Sequence, residues 1–175
     1  IMGTNPVVSM PQADRVKRAL ERCPLVVVSD CIQPTDTGQL ADVLLPAAPW
    51  AEKDGTVTNS ERCISRQRDV FELAGESRPD WAIVCAVAAK LGYAEQFNYT
   101  SAHQIFCEHA ALTRFARDDG RQFDIATLAH MSLCEFDSMS SLQWPIGARP
   151  FHDGQFSTPD RRANFVAVVP RAPAQ

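Results

Sequence analysis

Two short apolar runs dominate the hydrophobic pattern near the start of the chain. Residues 24–30 have the sequence Pro-Leu-Val-Val-Val-Ser-Asp, and a continuous apolar run of this kind is typical of a parallel strand covered on both faces. Residues 43–45, Val-Leu-Leu, are stopped by Pro46 and suit a fully buried strand. The pattern therefore predicts two neighbouring interior strands.

Helical periodicity appears between and after these runs. Residues 12–22 place Val16, Ala19 and Leu20 on one face and charged residues mostly on the other, which predicts an amphipathic helix. A second helix is predicted from Asp80 to about Leu91, where Gly92 ends it. Further helices are predicted at Ser101 to Arg117, Asp124 to His130 and Ser138 to Leu142, with a short turn at Gly38 to Ala41.

The order of these elements indicates the fold class. Ile1 and Met2 resemble the end of a strand that enters the turn Gly3-Thr4-Asn5-Pro6, and we expect the chain to be a fragment of a longer protein. The order of strand, helix, strand, turn and strand predicts an α/β fold, a Rossmann-like three-layer domain with a mostly parallel sheet. Residues 64–68 and 70–73 are expected to be extended and to return along the edge of this sheet.

The composition changes near Trp144-Pro145. We expect residues 1–145 to form the α/β domain and residues 146–175 to form a linker that leads to a missing β-rich domain. Residues 164–169 are strand-like and are the expected first strand of that following domain.

Composition and charge exclude some classes of function. The 175 residues are 45% hydrophobic and 22% charged, as in an ordinary globular protein. A net charge of −4 without a basic stripe argues against nucleic acid as a partner. The longest apolar run, residues 81–89, is far shorter than the roughly 20 residues that cross a bilayer.

Cysteines and histidines show no pattern of metal ligands. The six cysteines form no Cys-x-x-Cys pair, and the four histidines lack metal-ligand spacing, so we expect no zinc site or iron–sulfur cluster within these residues. Cys85 lies in an apolar helical run and is expected to be part of the core.

The long segment from Ala41 to Arg62 is the first candidate for ligand binding. It leaves the carboxyl end of a predicted strand, where open α/β sheets place ligands, and it carries a tryptophan among hydrogen-bonding groups of both signs. A solvated surface loop capped by one aromatic residue is the alternative.

Three other positions have both a binding and a structural interpretation. Asn5 follows a glycine turn and offers a donor and an acceptor, although a plain strand-to-helix turn explains it equally well. Asp30, after Ser29 at a strand tip, suits a ribose hydroxyl, but Asp also favours turns and caps. Asp80 at a helix start is explained locally by helix capping. The chain has no Gly-x-Gly-x-x-Gly motif, so an ordinary dinucleotide fold is not directly supported.

An ordered series of short segments suggests a more specific interpretation. The segments are 3–6 (Gly-Thr-Asn-Pro), 28–30 (Val-Ser-Asp), 35–37 (Thr-Asp-Thr), 41–46 (Ala-Asp-Val-Leu-Leu-Pro), 52–62 (Glu-Lys-Asp-Gly-Thr-Val-Thr-Asn-Ser-Glu-Arg) and 75–81 (Gly-Glu-Ser-Arg-Pro-Asp-Trp). Together they resemble the bis-molybdopterin guanine dinucleotide (bis-MGD) oxidoreductases, which include nitrate reductases and formate dehydrogenases.

Further segments are similar to the bacterial assimilatory nitrate reductase branch of that family. They are 56–62 followed by 64–68, 121–125, 143–145 and 153–156. The resemblance covers nearly the whole chain. It departs at Cys63, where the family usually has a second arginine, so a phosphate or pterin contact from that arginine is left open.

The resemblance implies a set of cofactor contacts. The middle α/β domains of this family hold two pterin dinucleotides, and the chain resembles one of these domains. The implied contacts to one molybdopterin guanine dinucleotide are Asn5, Ser29, Asp30, Lys53 and Asp80, with Gly55, Asn59 and Arg62 as neighbours. Carboxylates can accept from guanine N–H groups or ribose hydroxyls, and a lysine can meet phosphate or pterin oxygens.

The resemblance also implies what the chain lacks. In the family, the cysteines that bind a 4Fe–4S cluster and the cysteine that ligates molybdenum lie upstream, and none of the six cysteines here matches them. The expected function is a cofactor-binding domain of a cytoplasmic, assimilatory nitrate reductase, inactive alone, whose partners are the remaining domains and an electron-donor protein. The alternatives are the equivalent domain of a formate dehydrogenase and a cofactor-free α/β binding module.

Overall fold

The computed structural model describes residues 1–115, 123–156 and 158–170. Its helices α1 to α5 span Pro6–Ser9, Ala13–Leu20, Asp80–Lys90, Ala102–Leu112 and Leu133–Ser138. Its strands β1 to β5 span Val27–Asp30, Val43–Pro46, Gly55–Thr58, Cys63–Gln67 and Leu142–Gln143. Short 3-10 turns occupy Gly38–Leu40, Trp50–Glu52 and Ala126–Leu128.

The first 46 residues form the predicted parallel arrangement. β1 and β2 pair in parallel, with Val28 opposite Leu44. Residues 1–3 lie along the other side of β1, where the amide of Ser29 donates to the carbonyl of Ile1 at 2.9 Å and Met2 forms a parallel bridge with Ser29. The predicted order of strand, helix, strand, turn and strand is confirmed for this part of the chain.

The expected return along the parallel sheet is wrong for residues 64–68. Residues 64–67 lie in β4, which pairs antiparallel with β3 and β5 in a separate three-stranded sheet. The hairpin forms because the side-chain oxygen of Asn59 accepts hydrogen bonds from the amides of Glu61 and Cys63, a local turn that the loop interpretation overlooked. Residues 70–73 contain no strand.

The α/β class is therefore confirmed, but the mostly parallel sheet is not. The described residues contain one parallel pair of strands and one antiparallel three-stranded sheet. The three-layer Rossmann-like arrangement stays a prediction.

The main hydrophobic core lies against the antiparallel sheet. Ile64 of β4 packs in one buried cluster with Phe106 and Ala110 of α4. Ile125, just before the turn Ala126–Leu128, and Phe136 of α5 complete the cluster, and Phe136 is fully buried. The rings of Phe106 and Phe136 are 5.4 Å apart between centroids. This cluster fixes β4 relative to two helices, so the hairpin of β3 and β4 rests on a rigid base.

β2 is not the fully buried strand that its sequence predicted. Val28 of β1 is completely buried, whereas Val43 and Leu44 of β2 are 39% and 41% exposed. Leu45 lines an apolar groove between the sheet and α3, whereas Leu44 lines a different groove with Glu52 and Glu76, so neither face of β2 is fully covered. Cys85, expected in the core, is only partly buried.

Other predicted elements differ in position. The helices predicted at 12–22, 80–91 and 101–117 correspond to α2, α3 and α4, although the end of the last prediction lies outside the described residues. Only the 3-10 turn Ala126–Leu128 occupies the helix predicted at 124–130. The predicted helix at 138–142 is wrong because the true helix, α5, begins earlier at the Ser132 cap. No strand forms at 164–169.

Candidate functional site

The carboxyl edge of the parallel sheet is continuous from the first residues of the chain to the start of α3. The amide of Gly3 donates to the carbonyl of Ser29 at 2.8 Å, and the amide of Ala47 donates to the carbonyl of Asp30 at 3.1 Å. Ala47 also forms a parallel bridge with Arg78. Backbone contacts therefore place the ends of four predicted segments side by side, namely 3–6, 28–30, 41–46 and 75–81. An open α/β sheet has this arrangement at a ligand site.

Lys53 and Asp80 meet at one end of this edge. The Nζ atom of Lys53 lies 2.5 Å from Oδ2 of Asp80, and the two side chains are 25% and 41% exposed. Asp80 is the first residue of α3, but Pro79 is the capping residue and the Asp80 carboxylate makes no capping hydrogen bond. Asp80 therefore stays the acidic residue in the first turn of α3, and it also forms a half-exposed ion pair with Lys53.

Ser29 and Asp30 lie at the tip of β1. Oδ1 of Asp30 accepts from the amide of Cys31 at 2.7 Å, which orients the carboxylate at the strand end. Ser29 is only 2% exposed, and its hydroxyl oxygen has no hydrogen-bond partner among the described residues. An unpaired buried hydroxyl is uncommon and calls for a polar partner from outside.

Asn5 has a structural role at the other end of the edge. Its side-chain oxygen accepts from the amide and the hydroxyl of Thr37, at 3.1 and 2.6 Å. The Thr37 oxygen in turn accepts from the amide of Val7 at 3.2 Å. This network joins α1 to the turn at Gly38–Leu40, so the amide nitrogen is the part of the Asn5 side chain available to a ligand.

A groove of about 450 Å³ reaches Cys31, the residue that follows Asp30. Its walls mix polar and apolar groups and include Cys31, Pro46, Glu52 and Glu76. Oε2 of Glu52 accepts from the amide of Ala74 at 3.1 Å and from the hydroxyl of Ser77 at 3.3 Å, which closes one side. Two glutamates on the walls favour a ligand that donates hydrogen bonds over one that presents phosphate oxygens.

Two of the predicted neighbours, Asn59 and Arg62, lie away from the carboxyl edge. Both are in the turn between β3 and β4, where the Asn59 oxygen is used by backbone amides. The guanidinium of Arg62 lies 5.7 Å from the ring centroid of Trp144 and 5.9 Å from that of Phe151. Its Nε atom is buried without a partner in the described part of the chain. Gly55, in contrast, begins β3 directly after Lys53 and Asp54.

Sequence reasoning missed two residues beside Lys53, namely Arg66 and Gln67. Nε2 of Gln67 donates to the carbonyl of Lys53 at 3.1 Å, and Arg66 donates to the carbonyl of Gly55 at 2.5 Å. The signal was present in the alternation of β4. Ile64 and Arg66 are two residues apart and share a face, so burial of the isoleucine turns the arginine inward as well.

Other chemistry in the described residues does not assemble at this edge. No group of three or more His, Cys, Asp or Glu residues there could hold a metal ion, and all six cysteines are free thiols. Burial raises the pKa of the Cys107 thiol, on α4, and a hydrogen bond with Glu108 raises the pKa of Tyr99. None of the helices that the structure describes has the length and apolar character needed to cross a membrane.

Comparison with known proteins identifies relatives that are much longer than this chain. A nitrate reductase of Klebsiella oxytoca is 50% identical over an alignment of 175 positions, which covers 98% of this chain and 20% of that protein. The alpha subunit of an F420-dependent formate dehydrogenase of Methanocaldococcus jannaschii is 36% identical over 100% of this chain and 25% of its own length. The chain thus spans about a fifth to a quarter of these relatives.

A solved structure shares the fold. The acetylene hydratase of Pelobacter acetylenicus matches 81% of this chain and 17% of its own, with a TM-score of 0.61 and 22% sequence identity. The family model described as molybdopterin oxidoreductase matches residues 1–90, which include the whole carboxyl edge and the Lys53–Asp80 pair. The chain therefore belongs to the molybdopterin oxidoreductase family.

Proposed function

We propose that this chain is the cofactor-holding part of a molybdenum-dependent nitrate reductase that reduces nitrate to nitrite in nitrate assimilation. It would hold one molybdopterin guanine dinucleotide of a bis-MGD pair. The observation that carries the proposal is the half-exposed Lys53–Asp80 pair at the carboxyl edge of the parallel sheet. Glu52, the residue before Lys53, lines a groove of about 450 Å³. Relatives named nitrate reductase support the substrate.

The groups along the edge fit a nucleotide-like ligand. The buried hydroxyl of Ser29 lines the apolar groove that faces α3, not the groove of Glu52 and Glu76, and it lacks a partner among the described residues. A ligand donor or acceptor that reached it there would satisfy it. The groove of Glu52 and Glu76 is within the roughly 300–1,000 Å³ that ligand pockets occupy. Its glutamates suit a guanine edge or a ribose, whereas Lys53 is the cation that suits a phosphate.

Each residue then has a distinct task. Asp30 and Asp80 accept hydrogen bonds from guanine N–H groups or ribose hydroxyls. Lys53 either breaks its ion pair with Asp80 or keeps it while it also binds phosphate or pterin oxygens. Asn5 donates a hydrogen bond from its amide nitrogen. Gly55 begins β3 two residues after Lys53, and the space beside it is open, since nothing lies within 4 Å of the position its Cβ would take. When bound, the cofactor supplies oxygen-atom transfer at molybdenum and electron conduction through the pterins.

Arg62 and Asn59 are assigned a weaker part in this proposal. Because they lie at the far turn of the hairpin, they contact the same cofactor only if it extends along β3 and β4. The aromatic side chains around Arg62 leave its charge without an ion pair in the described residues, and a phosphate or pterin oxygen would be a suitable partner.

The proposal extends to the parts beyond this chain. Residues 1–145 would form the cofactor-binding domain and residues 146–175 a linker to a following β-rich domain. Catalysis would require the other domains of a longer enzyme, including a 4Fe–4S cluster and the molybdenum ligand, together with an electron-donor protein. The isolated chain would have no activity, and the intact enzyme would be cytoplasmic.

The test uses the full-length protein, purified without oxygen. We expect molybdenum, guanine nucleotide and nitrite production from nitrate with a reduced viologen as donor. Lys53→Ala and Asp80→Ala should each lose most of the bound guanine nucleotide. Lys17→Ala and Asp14→Ala, exposed charges on α2, are the matched controls and should retain it. Absence of both molybdenum and guanine nucleotide from the wild-type protein would overturn the proposal.

A formate dehydrogenase is the second candidate, supported by the formate dehydrogenase relative that covers the whole chain. The same preparation distinguishes the two, because it can be assayed for oxidation of formate with an oxidised viologen. Cofactor content together with formate oxidation, and no nitrite from nitrate, would keep the binding role of the chain and change its substrate.

A further inference from the structure

Arg66 is a charged side chain with only 3% of its surface exposed. Its Nε atom donates to the carbonyl of Phe136 at 2.9 Å, and its Cζ atom lies 3.9 Å from the centroid of the Phe136 ring. Its Nη1 atom donates to the carbonyl of Gly55 at 2.5 Å and lies 2.6 Å from Oδ1 of Asp54. Its Nη2 atom lies 3.2 Å from Oδ1 of Asp137. The planar guanidinium therefore joins α5 to the start of β3.

The segment that Arg66 holds is the one that carries Lys53. Asp54 and Gly55, its two partners on this side, are the next two residues of the chain. Gln67, the neighbour of Arg66 on β4, donates from Nε2 to the carbonyls of Lys53 at 3.1 Å and Trp50 at 2.8 Å. The backbone around Lys53 is thus held from β4, and β4 rests on the buried cluster of Ile64 and Phe136.

We propose that Arg66 is a positioning residue for cofactor binding: through Asp54 and Gly55 it fixes the place of Lys53 against Asp80. This proposal rests on the proposed function in taking Lys53 as a cofactor contact. The contacts that hold the backbone of Lys53 do not depend on that function. A long lysine side chain is otherwise free to adopt many rotamers, so its charge is useful at a ligand only if its backbone is fixed. Five donors in one plane make arginine suited to this task, whereas lysine offers a single point of attachment.

The structure provides a matched pair of variants, because Arg66 has one carboxylate partner on each side. Asp54→Ala removes the partner next to Lys53, and Asp137→Ala removes the partner on α5. Both changes take one carboxylate from the same buried guanidinium and are expected to lower the unfolding temperature. A merely structural role for Arg66 would make their effects on the ligand similar, whereas a positioning role separates them.

The first experiment measures guanine nucleotide and molybdenum per full-length protein, alongside the unfolding temperature. We expect Asp54→Ala and Arg66→Lys to reduce cofactor content about tenfold, the lower end of what removal of an orienting partner does at other sites. Asp137→Ala should keep cofactor content near that of the wild type. Equal losses from Asp54→Ala and Asp137→Ala, or no loss from Asp54→Ala, would overturn the positioning role.

A second experiment separates this inference from the proposed function. The amine of Lys53 is labelled with acetic anhydride in cofactor-free full-length protein, and its labelling rate is read by mass spectrometry relative to that of Lys17. Asp54→Ala should increase the relative rate severalfold and Asp137→Ala should leave it unchanged. If the wild type contains no cofactor, the proposed function fails while this result still decides whether Arg66 fixes Lys53. No increase in either variant would refute the inference.

Discussion

At the scale of single residues, Phe136 links the core to the charged groups of the hairpin. Its side chain is fully buried, packs 5.4 Å from Phe106 and from His103 between ring centroids, and lies under the guanidinium of Arg66. Phe136 therefore contributes both apolar burial and the surface on which a buried cation rests. Loss of this ring should therefore destabilise the core and also weaken the attachment of β3.

Phe136→Ala should lower the free energy of unfolding by about 3–5 kcal/mol, because a buried aromatic side chain leaves a cavity that the core fills only partly. Chemical denaturation followed by tryptophan fluorescence measures this loss. Leu133→Ala in the same helix is the control, since Leu133 is 56% exposed. The control should change stability by no more than about 0.5 kcal/mol. Similar losses from both variants would contradict the packing described for α5.

Cys107 illustrates how burial decides the reactivity of a single thiol. Burial raises its pKa, and a weaker opposing effect comes from the carbonyl of Met131. His103 does not activate it, because Nε2 of the imidazole lies 2.6 Å from that same carbonyl and must carry a proton there. A raised pKa means a smaller thiolate fraction at any given pH.

We therefore expect iodoacetamide at pH 8 to modify Cys107 several-fold more slowly than the exposed Cys134 in the native protein. Peptide mass spectrometry at a series of reaction times gives both rates from one sample. In denaturant the two rates should become equal, since the difference arises from folding. A faster reaction at Cys107 would show that the imidazole of His103 acts as a base.

At the scale of elements, α5 depends on the cap at its first turn. The hydroxyl of Ser132 accepts from the amide of Glu135 at 3.3 Å, and the Glu135 carboxylate accepts from the amide and the hydroxyl of Ser132 at 2.7 and 2.6 Å. This capping box provides hydrogen-bond partners for backbone amides at the start of the helix that have none within the helix itself. Ser132→Ala should destabilise the protein by about 1 kcal/mol in denaturant titrations, with Ser140→Ala as the control.

The same cap gives a dependence on pH. Hydrogen bonds from Ser132 lower the pKa of Glu135 in the folded protein. The contribution of Glu135 to stability is therefore complete above its unfolded pKa, about 4.3, and is lost as the pH falls through the lower folded value. Glu135→Ala should reduce the unfolding temperature at pH 7 and have little effect near pH 2. A difference that grew in acid would give the wrong sign and would contradict the cap; Glu95→Ala, an exposed carboxylate, is the control.

The elements also show why some predictions from sequence succeeded and others did not. β1, α2 and α3 were predicted because their patterns are local: a continuous apolar run, one apolar face, and a helix ended by a glycine. The start of α5 was missed although Ser132 and Glu135 form the capping-box signal three residues apart. β3 could not be found from its own residues, because Gly55 to Thr58 becomes a strand only by pairing with β4.

For the candidate site, the sequence indicated which kinds of side chain to consider, but not that Lys53 and Asp80 form an ion pair. Lys53 and Asp80 were chosen separately from motifs, but their contact depends on how the loop after β2 folds back onto α3. Asn59 was chosen as a ligand, and the structure uses its side chain for a turn. Arg66 was overlooked because a charged residue in a strand is usually exposed, although it shares a strand face with Ile64; the packing on Phe136 confirms that it is buried.

At the scale of the whole molecule, the two sheets differ in how completely they are covered. The antiparallel sheet is covered by α4 and α5 around Phe136. The parallel sheet faces α3 across a second open groove, also of about 450 Å³, which is distinct from the groove lined by Glu52 and Glu76. The wall of this second groove is almost entirely apolar and includes Val84, Val87 and Leu91, which are 38%, 48% and 70% exposed. α3 carries charges only at its two ends, so it has no polar face to present to water.

Exposed apolar surface of this extent should make the 175-residue chain bind an apolar fluorescent dye such as ANS in its native state. Val87→Glu places a charge in the groove and should reduce the dye signal several-fold, because burying an unpaired carboxylate under an apolar dye is unfavourable. Val8→Glu is the matched control: Val8 is 62% exposed but lies on α1, outside the groove, and its change should leave the signal intact. Native wild-type chain that binds no dye would contradict the open apolar groove between α3 and the parallel sheet.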